Sequence, residues 1–115
     1  MSDGTAPRFH DDDALVTAVV QDASSGDVLM VAHMNRAAWD ATLRSGRATF
    51  FSRSRGRLWE KGETSGNTMT VRSIAVDCDA DSVLLRVDAA GPACHTGERT
   101  CFHRHVAVEE RGGAA

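Results

Sequence analysis

Two short apolar runs near the front of the chain limit what it can fold into. Ala14 to Gln21 (ALVTAVVQ) and Val28 to His33 (VLMVAH) are rich in β-branched residues, and Ser24-Ser25-Gly26-Asp27 lies between them. Branching at Cβ favours extended backbone, and a glycine in the loop supplies the positive φ that a tight reversal needs. The pair predicts a β-hairpin. Asn35 then stands where a helix N-cap belongs, ahead of RAAWDATLRS and Gly46. Alanine, leucine and arginine favour helix, Trp39 and Leu43 share a face four residues apart, and glycine suits the position beyond a helix end. One helix over 36–45 follows. Ala48 to Ser52, Thr68 to Asp77, Ser82 to Asp88 and Cys101 to Val108 read as further strands. The fold class is α+β with β dominant: a small single domain of β-hairpins and one main helix.

A chain of 115 residues has room for one hydrophobic core. That core is expected within 14–108, with residues 1–13 and 109–115 as flexible tails. No apolar run approaches the roughly 20 residues of a membrane helix. Residues 1–13 are polar and acidic, without the apolar stretch of a secretion signal. A cytoplasmic location with no membrane association is expected. The net charge of −3 argues against broad binding of nucleic acid.

Two long, polar, glycine-punctuated stretches, Arg53 to Asn67 and Ala89 to Thr100, break the strand pattern. They carry Trp59 and Cys94, which suits functional loops better than disorder. The three cysteines are Cys78, Cys94 and Cys101. They could be three small buried hydrophobes. The six-residue gap between Cys94 and Cys101 does not match the short knuckle of common structural zinc sites. All three could instead serve one zinc ion, leaving a fourth tetrahedral position for a water whose pKa would fall to about 7.

Asp77-Cys78-Asp79-Ala80-Asp81 has two readings as well. Extended, it would turn its aspartates to one face, where Mg²⁺ would relieve their repulsion, and Cys78 to the other. It also fits a solvated turn. Under the extended reading the two metals fall on opposite sides of one segment. A homodimer resolves this if Cys78 of one subunit completes the zinc site of the other.

Ser52-Arg53-Ser54-Arg55-Gly56-Arg57 concentrates arginines in an acidic chain, which suits phosphate oxygens, although such a run can also be a solvated loop. Trp59-Glu60-Lys61-Gly62-Glu63-Thr64-Ser65-Gly66-Asn67 holds the chain's one lysine and can form a backbone anion nest, but it is not a P-loop. Of the histidines, His10 and His33 read as surface or packed residues. His95 adjoins a candidate zinc ligand, and His103 and His105 alternate beyond Cys101, from where they could face the site.

Taken in order, these motifs, with Gly91-Pro92-Ala93-Cys94-His95-Thr96-Gly97-Glu98-Arg99-Thr100-Cys101-Phe102, closely resemble the phosphoribosyl-AMP cyclohydrolase family of histidine biosynthesis. The likeness runs from about Leu15 to Arg104. It implies an intertwined homodimer, with Zn²⁺ held by Cys94 and Cys101 of one subunit and Cys78 of the other. It also implies Mg²⁺ at Asp77, Asp79 and Asp81. The implied reaction is hydrolysis of the N1–C6 bond of the adenine ring of 1-(5-phosphoribosyl)-AMP by zinc-activated water. His95 and Glu63 are the candidates for handling protons. Arg53, Arg55, Lys61, Gly62, Thr64, Ser65 and Gly66 are the candidates for holding phosphates and sugars. Some relatives carry a fused pyrophosphohydrolase domain, an activity expected here on another polypeptide.

Two rival readings are weaker. A zinc nucleobase deaminase needs His-x-Glu and Pro-Cys-x-x-Cys, and Pro92-Ala93-Cys94 leads into no such pair. A non-catalytic zinc module that binds RNA would want a basic surface and an aromatic stacking platform.

Overall fold

A computed structural model describes residues 5–109. The expected hairpin forms from β1 (Val16–Asp22) and β2 (Val28–Met34), paired antiparallel. Strand alternation puts Val16, Ala18 and Val20 into the core. Gly26 sits at φ 82° in the turn, and Ser25 N–H donates to an Asp22 carboxylate oxygen. The helix α1 spans Arg36–Ser45. Asn35 Oδ1 accepts from Ala38 N–H at 2.9 Å, and Gly46 closes the far end at φ 74°.

The buried face of α1 is Ala38, Trp39 and Thr42; Leu43 is 55% exposed, which corrects its expected place beside Trp39. Thr42 is worth burying because its hydroxyl donates to the carbonyls of Ala38 and Thr49 and accepts the Thr49 N–H. That network fastens the helix to β3 (Thr49–Ser52), which pairs with β4 (Arg57–Glu60) in a separate two-stranded sheet. The sequence predicts loop over 57–60, where this strand forms. Phe50 and Trp59 face one another across this hairpin, ring centroids 5.2 Å apart, and provide the cross-strand packing that makes it.

The main sheet has the order β2-β1-β6-β5, with β5 (Met69–Val76) and β6 (Ser82–Ala89) antiparallel and β1 parallel to β6. Its inner face carries Val16, Ala18, Val20, Met30, Met34, Val83, Leu85 and Val87 against Trp39, Phe50 and Phe9. On the outer face Val31, Val19, Leu84 and Ala75 stand in register across all four strands. Val31 is 45% exposed there. Phe9 is buried in the core, and Arg36 stacks on its ring, so the packed body begins before Ala14. Residues 1–4 and 110–115 of the expected tails lie outside the described residues. The strand expected over Cys101 to Val108 is not formed. Cys101 N–H still bonds Leu29 O, but beyond it no strand within the described chain pairs with the segment, and Val106 and Val108 are 87% and 88% exposed. No helix among the described residues is long and apolar enough to cross a membrane.

Replacing Thr42 with Val keeps the shape but removes the hydroxyl from a buried site, leaving the Thr49 N–H unpaired. The expected cost is about 1–3 kcal/mol of unfolding free energy, read from the shift in urea midpoint; a midpoint unchanged within error would refute this account of the helix–strand junction.

Candidate metal centre and adjoining cavities

The segment after β6 folds back on itself. Ala93 N–H bonds Arg99 O, Cys94 N–H bonds Glu98 O, and Gly97 turns the chain at φ 91°. This closure overcomes the six-residue gap, bringing the thiols of Cys94 and Cys101 close enough to alter each other's ionisation. Cys94 is buried. The Thr96 hydroxyl donates to its Sγ at 3.1 Å, and His103 Nε2 lies 3.8 Å away. Led by the Thr96 bond, these contacts bring the Cys94 thiol down to about 6, so it is largely thiolate at neutral pH. Burial and the neighbouring Cys94 push Cys101 up, and the charge of Lys61 opposes them. His103 therefore faces the cysteines, while His95 is exposed on the loop beside Cys94.

Arg99, for which the sequence predicts no role, ties this loop to the β1–β2 turn. Its guanidinium donates to Asp27 at 2.7 Å, Asp22 at 3.2 Å and Ser25 Oγ at 2.9 Å. Asp22 is held below the usual carboxylate range by the Ser25 hydroxyl first, then by the Ser25 N–H and Arg99. Thr100 adds a bond from its hydroxyl to Val28 O at 2.7 Å. The only hint in the sequence was a pair of aspartates flanking Ser24-Ser25-Gly26 with no assigned partner.

Cys78 is elsewhere. It lies in the β5–β6 turn, at the opposite end of β6 from Cys94. The strand between spans Ser82 to Ala89, about 23 Å at roughly 3.3 Å per residue. One chain cannot bring all three sulfurs to one ion. Among the described residues, the group of three with ligand atoms inside one cation's reach is Asp77, Asp79 and Asp81, all within 4.8 Å of one another. Of the two readings of this segment, the turn is the one formed, and it makes the carboxylates converge: Asp77 Oδ1 accepts the N–H groups of Asp81 and Ser82, and Ala80 adopts φ 62°. Three exposed carboxylates are hard oxygen donors that fit Mg²⁺, as thiolates fit zinc.

Two cavities flank the β3–β4 hairpin. One, about 410 Å³, is lined by Ser52, Arg55, Arg57, Trp59, Glu63 and Thr64. The other, about 560 Å³, is lined by His33, Arg53, Ser54 and Phe51, and shares Ser52 and Trp59 with the first. Burial first, then the Arg53 charge, holds His33 below the usual imidazole range, so it is neutral at pH 7. Of the expected binding residues, Arg53, Arg55 and Thr64 thus reach cavities. Gly62, Ser65 and Gly66 instead shape the loop: Gly66 N–H bonds Gly62 O, Ser65 Oγ accepts from Asn67 N–H, and both glycines have positive φ. Lys61 Nζ donates to Ala93 O at 2.6 Å. Glu63 pairs with Arg57 at 3.2 Å and accepts from Glu60 N–H.

The sequence profile of the phosphoribosyl-AMP cyclohydrolase family matches residues 30–103. A Rhizorhabdus wittichii protein named phosphoribosyl-AMP cyclohydrolase is 64% identical over 100 residues, covering 87% of this chain and 80% of the relative. One of the same name from Erythrobacter litoralis is 60% identical over 101 residues, covering 88% and 80%. A Thermus thermophilus protein named a histidine biosynthesis bifunctional protein is 57% identical over 109 residues, or 95% of this chain and 50% of that relative.

Thr96→Val should raise the Cys94 pKa from about 6 toward the ordinary thiol range, since the hydroxyl that stabilises the thiolate is its largest cause. The pH dependence of alkylation in metal-free protein reads this directly. An unmoved profile would mean that Thr96 does not set the thiolate.

Proposed function

The chain belongs to the phosphoribosyl-AMP cyclohydrolase family, a family of hydrolases in histidine biosynthesis, and from that premise we propose how its own residues carry out the ring opening. The substrate is 1-(5-phosphoribosyl)-AMP, and the bond hydrolysed is N1–C6 of the adenine ring. Oxygen from water bonds to C6, the C6–N1 bond breaks, N1 takes a proton, and the exocyclic nitrogen stays on C6 as a carboxamide. Substitution at N1 makes the ring cationic and C6 electrophilic, so the reaction needs an activated water and control over which nitrogen leaves.

Cys94 and Cys101 would hold zinc with Cys78 of a second copy, and the ion would supply Lewis acidity that lowers the pKa of a water. The observation that carries this reading is a Cys94 thiol at about 6 on a loop joined through Lys61 to the arginine-lined cavity. Arg55 and Arg57 would bind one phosphate of the substrate, with Trp59 as an apolar wall, and Arg53 the other from the second cavity. His95, exposed beside Cys94, and Glu63, in the arginine cavity, would handle the two protons of the step, one leaving the attacking water and one going to N1. Asp77, Asp79 and Asp81 would hold Mg²⁺. A cytoplasmic homodimer is part of the proposal. The separation of Cys78 from the other two cysteines supports it, as does the uncovered apolar row Val31-Val19-Leu84-Ala75.

Ring opening changes the ultraviolet absorbance of the nucleotide, so turnover is read with and without a chelator. Cys94→Ala should lose both stoichiometric zinc and activity; full turnover by zinc-free Cys94→Ala protein would defeat the assignment. Arg55→Ala should raise KM about tenfold or more through loss of a charge-assisted phosphate contact, with a smaller change in kcat. Cys78→Ala and Cys94→Ala should each be inactive, yet unfolding and refolding them together should restore roughly a quarter of the activity, because each mixed dimer rebuilds one of its two shared sites. No recovery on mixing would mean that Cys78 of one subunit does not complete the site of the other.

A further inference from the structure

Lys61 is the chain's one lysine, and it stands in the loop next to the arginine cavity. A lysine there would ordinarily be assigned to phosphate. Its geometry points elsewhere. Nζ donates to Ala93 O at 2.6 Å, a short charge-assisted bond made from a half-buried position. Lys61 lines neither cavity. The ammonium also lies 5.9 Å from the centre of the Trp59 ring, on the side chain that walls both cavities. The Lys61 N–H is fixed to Ala48 O.

A second contact joins the same two loops. A Cβ on Gly91 would fall 2.3 Å from Asn67 Oδ1, so the Asn67 side chain is pressed against the backbone leading to Ala93. Gly62, at φ 87°, is equally tight: a Cβ there would fall 2.4 Å from the backbone carbon of Asn67. The lysine loop and the segment that enters Cys94 therefore meet at two places, Lys61 on Ala93 and Asn67 on Gly91.

We propose that Lys61 is a positioning residue for the cysteine loop, holding the Ala93 carbonyl and placing a positive charge beside the thiolate ligands, rather than a ligand of the substrate phosphate. The inference rests on Cys94 and Cys101 being zinc ligands. Three thiolates on one zinc ion make a net negative centre, which a nearby ammonium offsets. The same side chain fixes the entry into Cys94 and lies against Trp59, so the wall of the substrate cavity and the metal loop are tied through one residue. Lysine suits this slot because its ammonium is a compact point donor. A guanidinium is a wide planar fork, and a half-buried gap closed at 2.6 Å would not admit it without shifting Ala93.

The test uses the zinc-loaded full chain. Zinc release to a chromophoric chelator is timed, and KM and kcat for phosphoribosyl-AMP are measured alongside. Lys61→Gln should release zinc about tenfold faster, as expected for losing one charge-assisted bond, and lower kcat with KM within about twofold. Unchanged zinc release with KM raised about tenfold would overturn the proposal and return Lys61 to the phosphate. Should Lys61→Gln not fold, Lys61→Arg decides. A phosphate role tolerates arginine, leaving zinc release and KM near wild type, which overturns the proposal. A positioning role does not, and zinc release rises while KM holds. Zinc release needs no turnover, so a wild-type chain that keeps zinc but leaves the nucleotide intact would refute the proposed reaction, while the Lys61 result would stand.

Discussion

The parallel pairing of β1 with β6 decides where everything else can be. Thr17 sits beside Ser82 and Asp22 beside Val87, so the two strands finish at the same end of the sheet. There β1 enters the Asp22–Asp27 turn and β6 enters the cysteine loop, and that adjacency lets Arg99 reach two aspartates and a serine more than seventy residues away in sequence. The aspartate turn, which opens β6, is carried to the other end by the same pairing. An antiparallel β1 would have sent the Asp22–Asp27 turn to the aspartate end and left Arg99 without partners. The core that holds the pairing is ordinary, with Ala18, Val20, Leu85 and Val87 all fully buried. The cysteine loop and the aspartate turn, at opposite ends of β6, cannot meet within one chain.

The cysteine loop has little apolar surface of its own, since Pro92 and residues 95–99 are exposed. It is held from outside, by Arg99 and Thr100 on the hairpin side and by Lys61 on the cavity side. Exposed ion pairs contribute little singly. Here three donors of one guanidinium converge on a turn already organised by its own Asp22–Ser25 and Ser25–Asp27 bonds, so little extra ordering is needed to make the contact. A loop braced in this way keeps a buried thiolate in place with few of its own residues in the core. That leaves its exposed residues, His95 among them, open to solvent.

The elements that could be read from the sequence were those whose signal is local. Asn35 and Gly46 bracket the helix because capping is decided within four residues. The first hairpin carries its own turn glycine. What escaped depends on partners distant in sequence. Leu43 looked like a core residue by its spacing from Trp39, but the helix buries Thr42 because Thr49 offers it two hydrogen bonds. Arg57 to Glu60 is polar enough to pass for loop and becomes a strand because Trp59 packs on Phe50. Cys101 to Val108 alternates like a strand, yet no edge among the described residues receives it. At the site, the six-residue gap concealed how near the thiols of Cys94 and Cys101 lie, because the antiparallel return around Gly97 is a tertiary fact.

The aspartate turn shows what such local geometry does to charge. Crowding by the chain works to raise Asp77, but the Ser82 N–H, the neighbouring carboxyls and the Asp81 N–H outweigh it, and Asp77 lies below its ordinary value. Asp81 is pushed the other way by Asp79 first and then Asp77. The two shifts act oppositely on stability. Asp77 contributes stability above its unfolded pKa and loses it as pH falls through its depressed folded value. Asp81 favours the fold below its unfolded pKa and loses that contribution as pH rises through its elevated folded value. As pH rises, the turn keeps the benefit of Asp77 and comes to bear the repulsion that raises Asp81. The N–H groups of Asp81 and Ser82 and the left-handed Ala80 hold the carboxylates together against that repulsion. The turn is thus pre-assembled, and a cation would find its oxygen donors gathered before it arrives.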